Sequence, residues 1–111
     1  MGVGRQARVA TAIKEAVAEF LILNLANATP GFITVSNAKV SPDLRVATVY
    51  FSIIGNEKDV EFTFKELERQ KSRIRYHVGQ EVPLKYVPEI RFFLDDSQEY
   101  VAKIKKVMKK L

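Results

Sequence analysis

Apolar residues recur every three or four positions through the first quarter of the chain. Val9, Ile13, Ala16, Val17, Phe20 and Leu21 form one stripe, while Arg5, Arg8, Lys14, Glu15 and Glu19 fall largely off it. That period predicts an amphipathic helix over residues 5–26. The segment Asn27-Ala28-Thr29-Pro30-Gly31 ends it, because proline and glycine both interrupt a helix. The period then falls to two. "FITVSNAKV" (32–40) is β-branched and partly alternating. "LRVATVYFSII" (44–54) alternates more clearly, with Ala47, Val49, Phe51 and Ile53 on one face and Val46, Thr48, Tyr50 and Ser52 on the other. Ser41-Pro42-Asp43 between them suits a tight turn, with proline setting φ at its second position. The pair reads as an antiparallel hairpin.

From 57 to 79 the helical period returns, with one interruption. Val60, Phe64 and Leu67 make a stripe that Ile74 and Val78 continue, but no apolar residue lies between Glu68 and Arg73. This predicts a kink at Gln70, Lys71 and Ser72, with Ser72 capping the second helix and Gly79 ending it. A third strand is expected over 83–95, where Ile90, Phe92 and Leu94 alternate with Glu89, Arg91 and Phe93. Residues 97–111 put Val101, Ile104, Met108 and Leu111 on one side of a final helix, with five lysines elsewhere. The order is α-β-β-α-(kink)-α-β plus a C-terminal helix. That is an α+β fold in one domain spanning 1–111.

Composition narrows the picture. With 111 residues, 47% hydrophobic and 28% charged, the chain can bury one modest core. It has no cysteine, which excludes disulfides and thiolate zinc sites. Its longest apolar run, around Phe20–Leu23, is too short for a membrane span, and the N-terminus lacks a signal-peptide pattern. A soluble cytoplasmic protein without membrane contact is expected. The net charge of +5 favours a polyanionic partner, since basic side chains that neutralise phosphates release condensed counterions.

Catalytic chemistry finds little support. His77 is the only histidine, and nothing nearby signals a nucleophile or acid for it to serve. It reads as a surface or half-buried helix residue. Asp95, Asp96 and Glu99 could be taken for hard-cation ligands, but the loop spacing and the glycine such sites need are missing. Asp96 and Glu99 stand instead at capping-box spacing. Neither glycine-rich phosphate cradle is present. No catalytic residue, metal ligand or cofactor is assigned. Arg69, Lys71, Arg73 and Arg75 fall within seven residues free of acids, and arginine can hold a phosphate with two parallel hydrogen bonds. Tyr50 and Phe93 are expected on the less buried sheet face, without an RNP pattern around them.

The element order, with a basic helix pair, resembles a type II KH domain, although the GxxG loop is absent. Four stretches are similar to the ribosome-binding factor A family. They are "GRQARVATAIKEAVAEFL" with Arg5, Arg8, Val9 and Ala10; "ITVSNAKVSPDLRVATVYFSI" with Ser41, Asp43, Leu44, Ala47, Val49 and Tyr50; "SRIRYHVG" with Ile74 and Arg75; and "LKYVPEIRFFLDDS" with Val87-Pro88-Glu89, Phe92, Phe93, Asp95 and Ser97. The resemblance implies a non-enzymatic factor that binds the small (30S) ribosomal subunit through its rRNA. It implies assistance to late maturation and precursor rRNA processing, a role in cold adaptation, and release aided by an assembly GTPase. A monomer is expected when free. One departure stands out: the family's usual Ala-x-Gly kink is replaced by Gln70-Lys71-Ser72. The expected RNA contacts, all to phosphates, are Arg5, Arg8, Arg69, Lys71, Arg73 and Arg75, then Lys85 and Arg91. The alternative is a basic protein-interaction module with an acidic protein partner.

Overall fold

A computed structural model describes residues 2–25 and 27–95. Helix α1 (Gly2–Asn24) is followed by strands β1 (Phe32–Val40) and β2 (Val46–Ile54), helices α2 (Glu57–Arg69) and α3 (Lys71–Glu81), and strand β3 (Glu89–Leu94). The order matches the α+β, type II KH-like expectation. The final helix expected over 97–111, and the cap at Asp96, lie outside the described residues.

The three strands form one sheet in the order β1-β2-β3. β1 runs antiparallel to β2, while β3 runs parallel to it. Parallel neighbours cannot be joined by a hairpin, and the α2–α3 pair supplies the crossover. A bulge at Ser36 shifts the β1 register between Val35 and Asn37. All three helices cover one face. Ala47, Val49, Phe51 and Ile53 of β2 meet Ile90 and Phe92 of β3, Ile13, Val17 and Phe20 of α1, and Leu67, Ile74 and Val78 of the helix pair. Phe51 and Phe92 meet edge to face, 4.9 Å between ring centroids. Fully burying one side chain of this kind is worth about 1.5–3 kcal/mol. α1 packs on both β1 and α3, so its stripe closes the core.

Asn56 caps α2. Its side chain accepts from the Asp59 backbone N–H at 2.8 Å, and Asp59 accepts in return from the Asn56 N–H. Such a cap contributes about 1 kcal/mol. The chain breaks at Gln70, whose φ of −89° and ψ of 3° serve as C-cap of α2 and N-cap of α3. No glycine is needed there, because φ stays negative.

Several boundaries differ from the sequence expectation. β2 begins at Val46, because Leu44 and Arg45 belong to the turn. β3 spans only Glu89–Leu94, because residues 83–88 form an irregular loop punctuated by Pro83 and Pro88. Ser72 does not cap α3; Gln70 occupies that position without a side-chain capping bond. Gly79 does not end α3. It lies inside the helix, where a Cβ would come within 2.9 Å of Val87 Cγ2, so it admits the loop that crosses over it. Leu94, which shares the alternation of the buried Ile90 and Phe92, is exposed at the strand end.

Candidate nucleic-acid interface

The β1–β2 turn is built by its own polar side chains. The Leu44 N–H donates to the Ser41 carbonyl at 2.9 Å, with Pro42 and Asp43 at the corners. The Ser41 Oγ accepts from the Val46 N–H at 3.0 Å and donates to Asp43 Oδ1 at 2.7 Å. Asp43 Oδ1 also accepts from the Arg45 N–H at 3.1 Å. The Ser41 hydroxyl, followed by that backbone donor, holds the Asp43 carboxyl below its ordinary range. Leu44 sits in the left-handed region at φ 61°, a conformation that costs a branched residue about 1–2 kcal/mol. The bonds on either side impose it, and its partly buried side chain packs against the core. The turn then hooks onto the next element, with the Glu89 N–H donating to the Arg45 carbonyl at 2.8 Å.

This hook brings the turn against the 83–88 loop and the start of α1. Between them lies a groove of about 580 Å³. Arg5 enters it from α1, Arg45 from the turn, and Lys85 and Tyr86 from the loop. Asp43, already engaged with Ser41 and Arg45, is the one acid among the lining residues. Among the described residues, Arg5, Arg45 and Lys85 form no ion pair within 4.0 Å. Lys85 Nζ stands 5.6 Å from the centre of the exposed Tyr86 ring. Three unpaired cations beside an exposed aromatic suit a phosphate-bearing strand.

The loop is held in place by Arg75. Its Nε donates to the Pro88 carbonyl at 3.2 Å and its Nη2 to the Val87 carbonyl at 3.0 Å. Its guanidinium thereby supports the groove wall.

The other predicted cations are dispersed. Arg69 is locked onto Glu66 through two bonds of 3.1 and 2.8 Å. That fork raises the Arg69 pKa and lowers that of Glu66, with the Gln70 amide assisting the latter. Lys71 lies 3.8 Å from Glu68 and 5.2 Å from the Phe92 ring. Arg73 turns the other way, donating to Gln70 Oε1 at 3.0 Å with its guanidinium 5.7 Å from the Phe20 ring. Arg91 lies on the outer sheet face, 3.4 Å from Glu89. Arg8 is exposed one turn beyond Arg5, a spacing that makes the two neighbours on α1. The fold therefore joins Arg5 and Lys85, keeps Arg8 beside them, and separates the four cations around the kink.

Arg45 escaped the sequence reading. It fell within the strand expected over 44–54; the available signal was its place two residues after the Ser41-Pro42-Asp43 turn. His77 fills the α1–α3 seam, 5.8 Å from Phe20 ring to ring, with Nε2 3.3 Å from a Glu19 carboxylate oxygen. The contact lacks hydrogen-bond alignment and leaves this nitrogen buried without a hydrogen-bond partner among the described residues. Glu81 brings a third candidate ligand atom within 4.8 Å of these two. Glu19 and Glu81 are exposed, and exposed acids gather commonly without a metal, so the cluster is not assigned as a metal site.

No helix among the described residues is long and apolar enough to cross a membrane. Residues 5–108 match the model of the family described as ribosome-binding factor A. The chain is 38% identical to ribosome-binding factor A of Bdellovibrio bacteriovorus, over 100% of its own length and 84% of the relative's. The crystal structure of ribosome-binding factor A from Thermus thermophilus superposes with a TM-score of 0.67 at 25% identity, covering 80% of this chain and 94% of that one. A second set of Thermus thermophilus coordinates, a homology model fitted into a cryo-EM map of a 30S complex, gives a TM-score of 0.62. It is 21% identical over 76% of this chain and 88% of that one, a likeness of fold alone. With its family model, its curated relative and its fold in agreement, the chain belongs to the ribosome-binding factor A family.

Proposed function

We propose that this chain is a non-catalytic assembly factor that binds the small ribosomal subunit by laying its basic groove on rRNA. The observation that carries the reading is the convergence of Arg5, Arg45 and Lys85 on one groove, with no ion pair to any of them among the described residues. Arg8 extends the surface along α1. Family membership supplies the choice of polyanion, together with the relative fitted into a map of its 30S complex. On this reading the factor assists late maturation and precursor rRNA processing as a monomeric, cytoplasmic protein. An assembly GTPase aids its release, and the need for it grows at low temperature.

The test is binding to small subunits and to single-stranded RNA across a salt series, for the parent chain and for the triple substitution Arg5→Glu, Arg45→Glu, Lys85→Glu. Each lost phosphate contact should flatten the log–log slope by about 0.7, so the triple change should remove about 2. Co-sedimentation with free subunits should fall in step. A parent chain with no salt dependence, or a folded triple variant that binds as well as the parent, would overturn the reading. Co-purification that survives nuclease treatment would point to an acidic protein partner instead.

A further inference from the structure

The outer face of the sheet is not needed for the core, yet it carries two aromatic rings. Tyr50 on β2 and Phe93 on β3 are register neighbours and point away from the helices. Their ring centroids are 5.9 Å apart and their planes 29° apart, close to an offset stack. Phe93 is 49% exposed, so its ring is open to a ligand beside that of Tyr50. Asn37 of β1 completes this rung.

The next rung is polar and basic. Lys39, Thr48 and Arg91 stand side by side across the three strands. Lys39 Nζ lies 5.7 Å from the Tyr50 ring centre, and Lys39 forms no ion pair among the described residues. Two acids border the area. Glu89 is paired with Arg91 at 3.4 Å, and Asp95 accepts from Ser36 Oγ at 2.8 Å. Neither stands on the two rungs. The face also leads toward the basic groove, because Arg45 of the turn lies five residues before Tyr50, roughly 17 Å along the strand.

We propose that this face is a second RNA-binding site, where unpaired bases of a single strand stack on Tyr50 and Phe93 while Lys39 and Arg91 hold the flanking phosphates. An apolar protein partner would not need a basic rung beside the rings, whereas a polyanionic strand does. Aromatic rings accept any base face, so the contact adds affinity with little sequence preference. The inference rests on the RNA-binding reading but uses different side chains and a different interaction.

The test uses the full chain with the double substitution Tyr50→Leu, Phe93→Leu, which keeps apolar bulk and removes the stacking rings. Binding to a ten-nucleotide oligouridylate is measured by fluorescence anisotropy across a salt series, alongside the melting temperature. The expected result is a folded variant that binds about tenfold more weakly, with an unchanged salt slope, because stacking releases no counterions. Photocrosslinks from 4-thiouridine should fall on Tyr50 or Phe93 in the parent chain. Unchanged affinity with the salt slope intact would overturn this site and leave the groove standing. A parent chain without RNA affinity would overturn both. Nuclear Overhauser contacts from the two rings to methyl groups of Val101, Ile104, Met108 or Leu111 would show the face covered by the chain's own tail, which also defeats the proposal.

Discussion

The Thr63 hydroxyl accepts the Gly31 backbone N–H at 3.0 Å inside the protein, tying the entrance of β1 to the middle of α2. Thr63 is fully buried, the only polar or charged residue in that class among the described residues. A Cβ at position 31 would come within 2.7 Å of both Ile53 Cγ2 and Thr63 Oγ1. Gly31 thus serves close packing as well as ending a helix. Thr63→Val preserves shape but leaves a buried donor without a partner. We expect a loss of about 1–3 kcal/mol, read as a lower urea midpoint at unchanged m-value.

Arg75 predicts a different kind of failure. Because its guanidinium fork clamps the Val87 and Pro88 carbonyls, Arg75→Lys should loosen the groove wall although the charge is kept. We expect about 1 kcal/mol lower stability. Amide hydrogen exchange should be faster over residues 84–88, with weaker RNA binding at a nearly unchanged salt slope. A lysine variant indistinguishable from the parent in exchange would show that the clamp is dispensable.

The hairpin turn should be acid-sensitive. Asp43 has its folded-state pKa lowered, first by the Ser41 hydroxyl and then by the Arg45 N–H. A lowered folded pKa means that the stabilisation is present above the unfolded value, and is lost as pH falls through the folded one. Carboxyl-detected NMR should therefore find Asp43 titrating below a free aspartate. The Arg45 and Val46 amide shifts should move in the same acidic step. Asp43→Asn should abolish that step.

Much of the framework was legible because periodicity survives local noise. The α1 stripe, the inward set Ala47, Val49, Phe51 and Ile53, and the break at Gln70 all follow from spacing that any packed solution must satisfy. Tyr50 and Phe93 were likewise placed on the open face by alternation alone. The misreadings share one cause. Gly79 and Ser72 have the chemistry of helix ends, but the crossing loop at Val87 and the bonded corner at Gln70 determined their use. Local preference is worth less than a tertiary contact, so the contact prevailed.

The candidate site divides along the same line. Arg5, Lys85 and the run from Arg69 to Arg75 could be named from the sequence, since charge is a property of residues. Their grouping could not. Arg69 is taken up by Glu66, Arg73 by Gln70 and the Phe20 ring, and Arg75 by the loop, all through side chains whose mutual distances depend on how the helices and loop pack. Arg45 joins Arg5 and Lys85 because a left-handed Leu44 and the Glu89–Arg45 bond bring turn, loop and helix end together. The linear chain thus determined the elements, the core faces, the family and the excess of positive charge. The tertiary structure alone decided which charges remain available to a ligand, because ion pairing and burial depend on distances that no one-dimensional pattern contains.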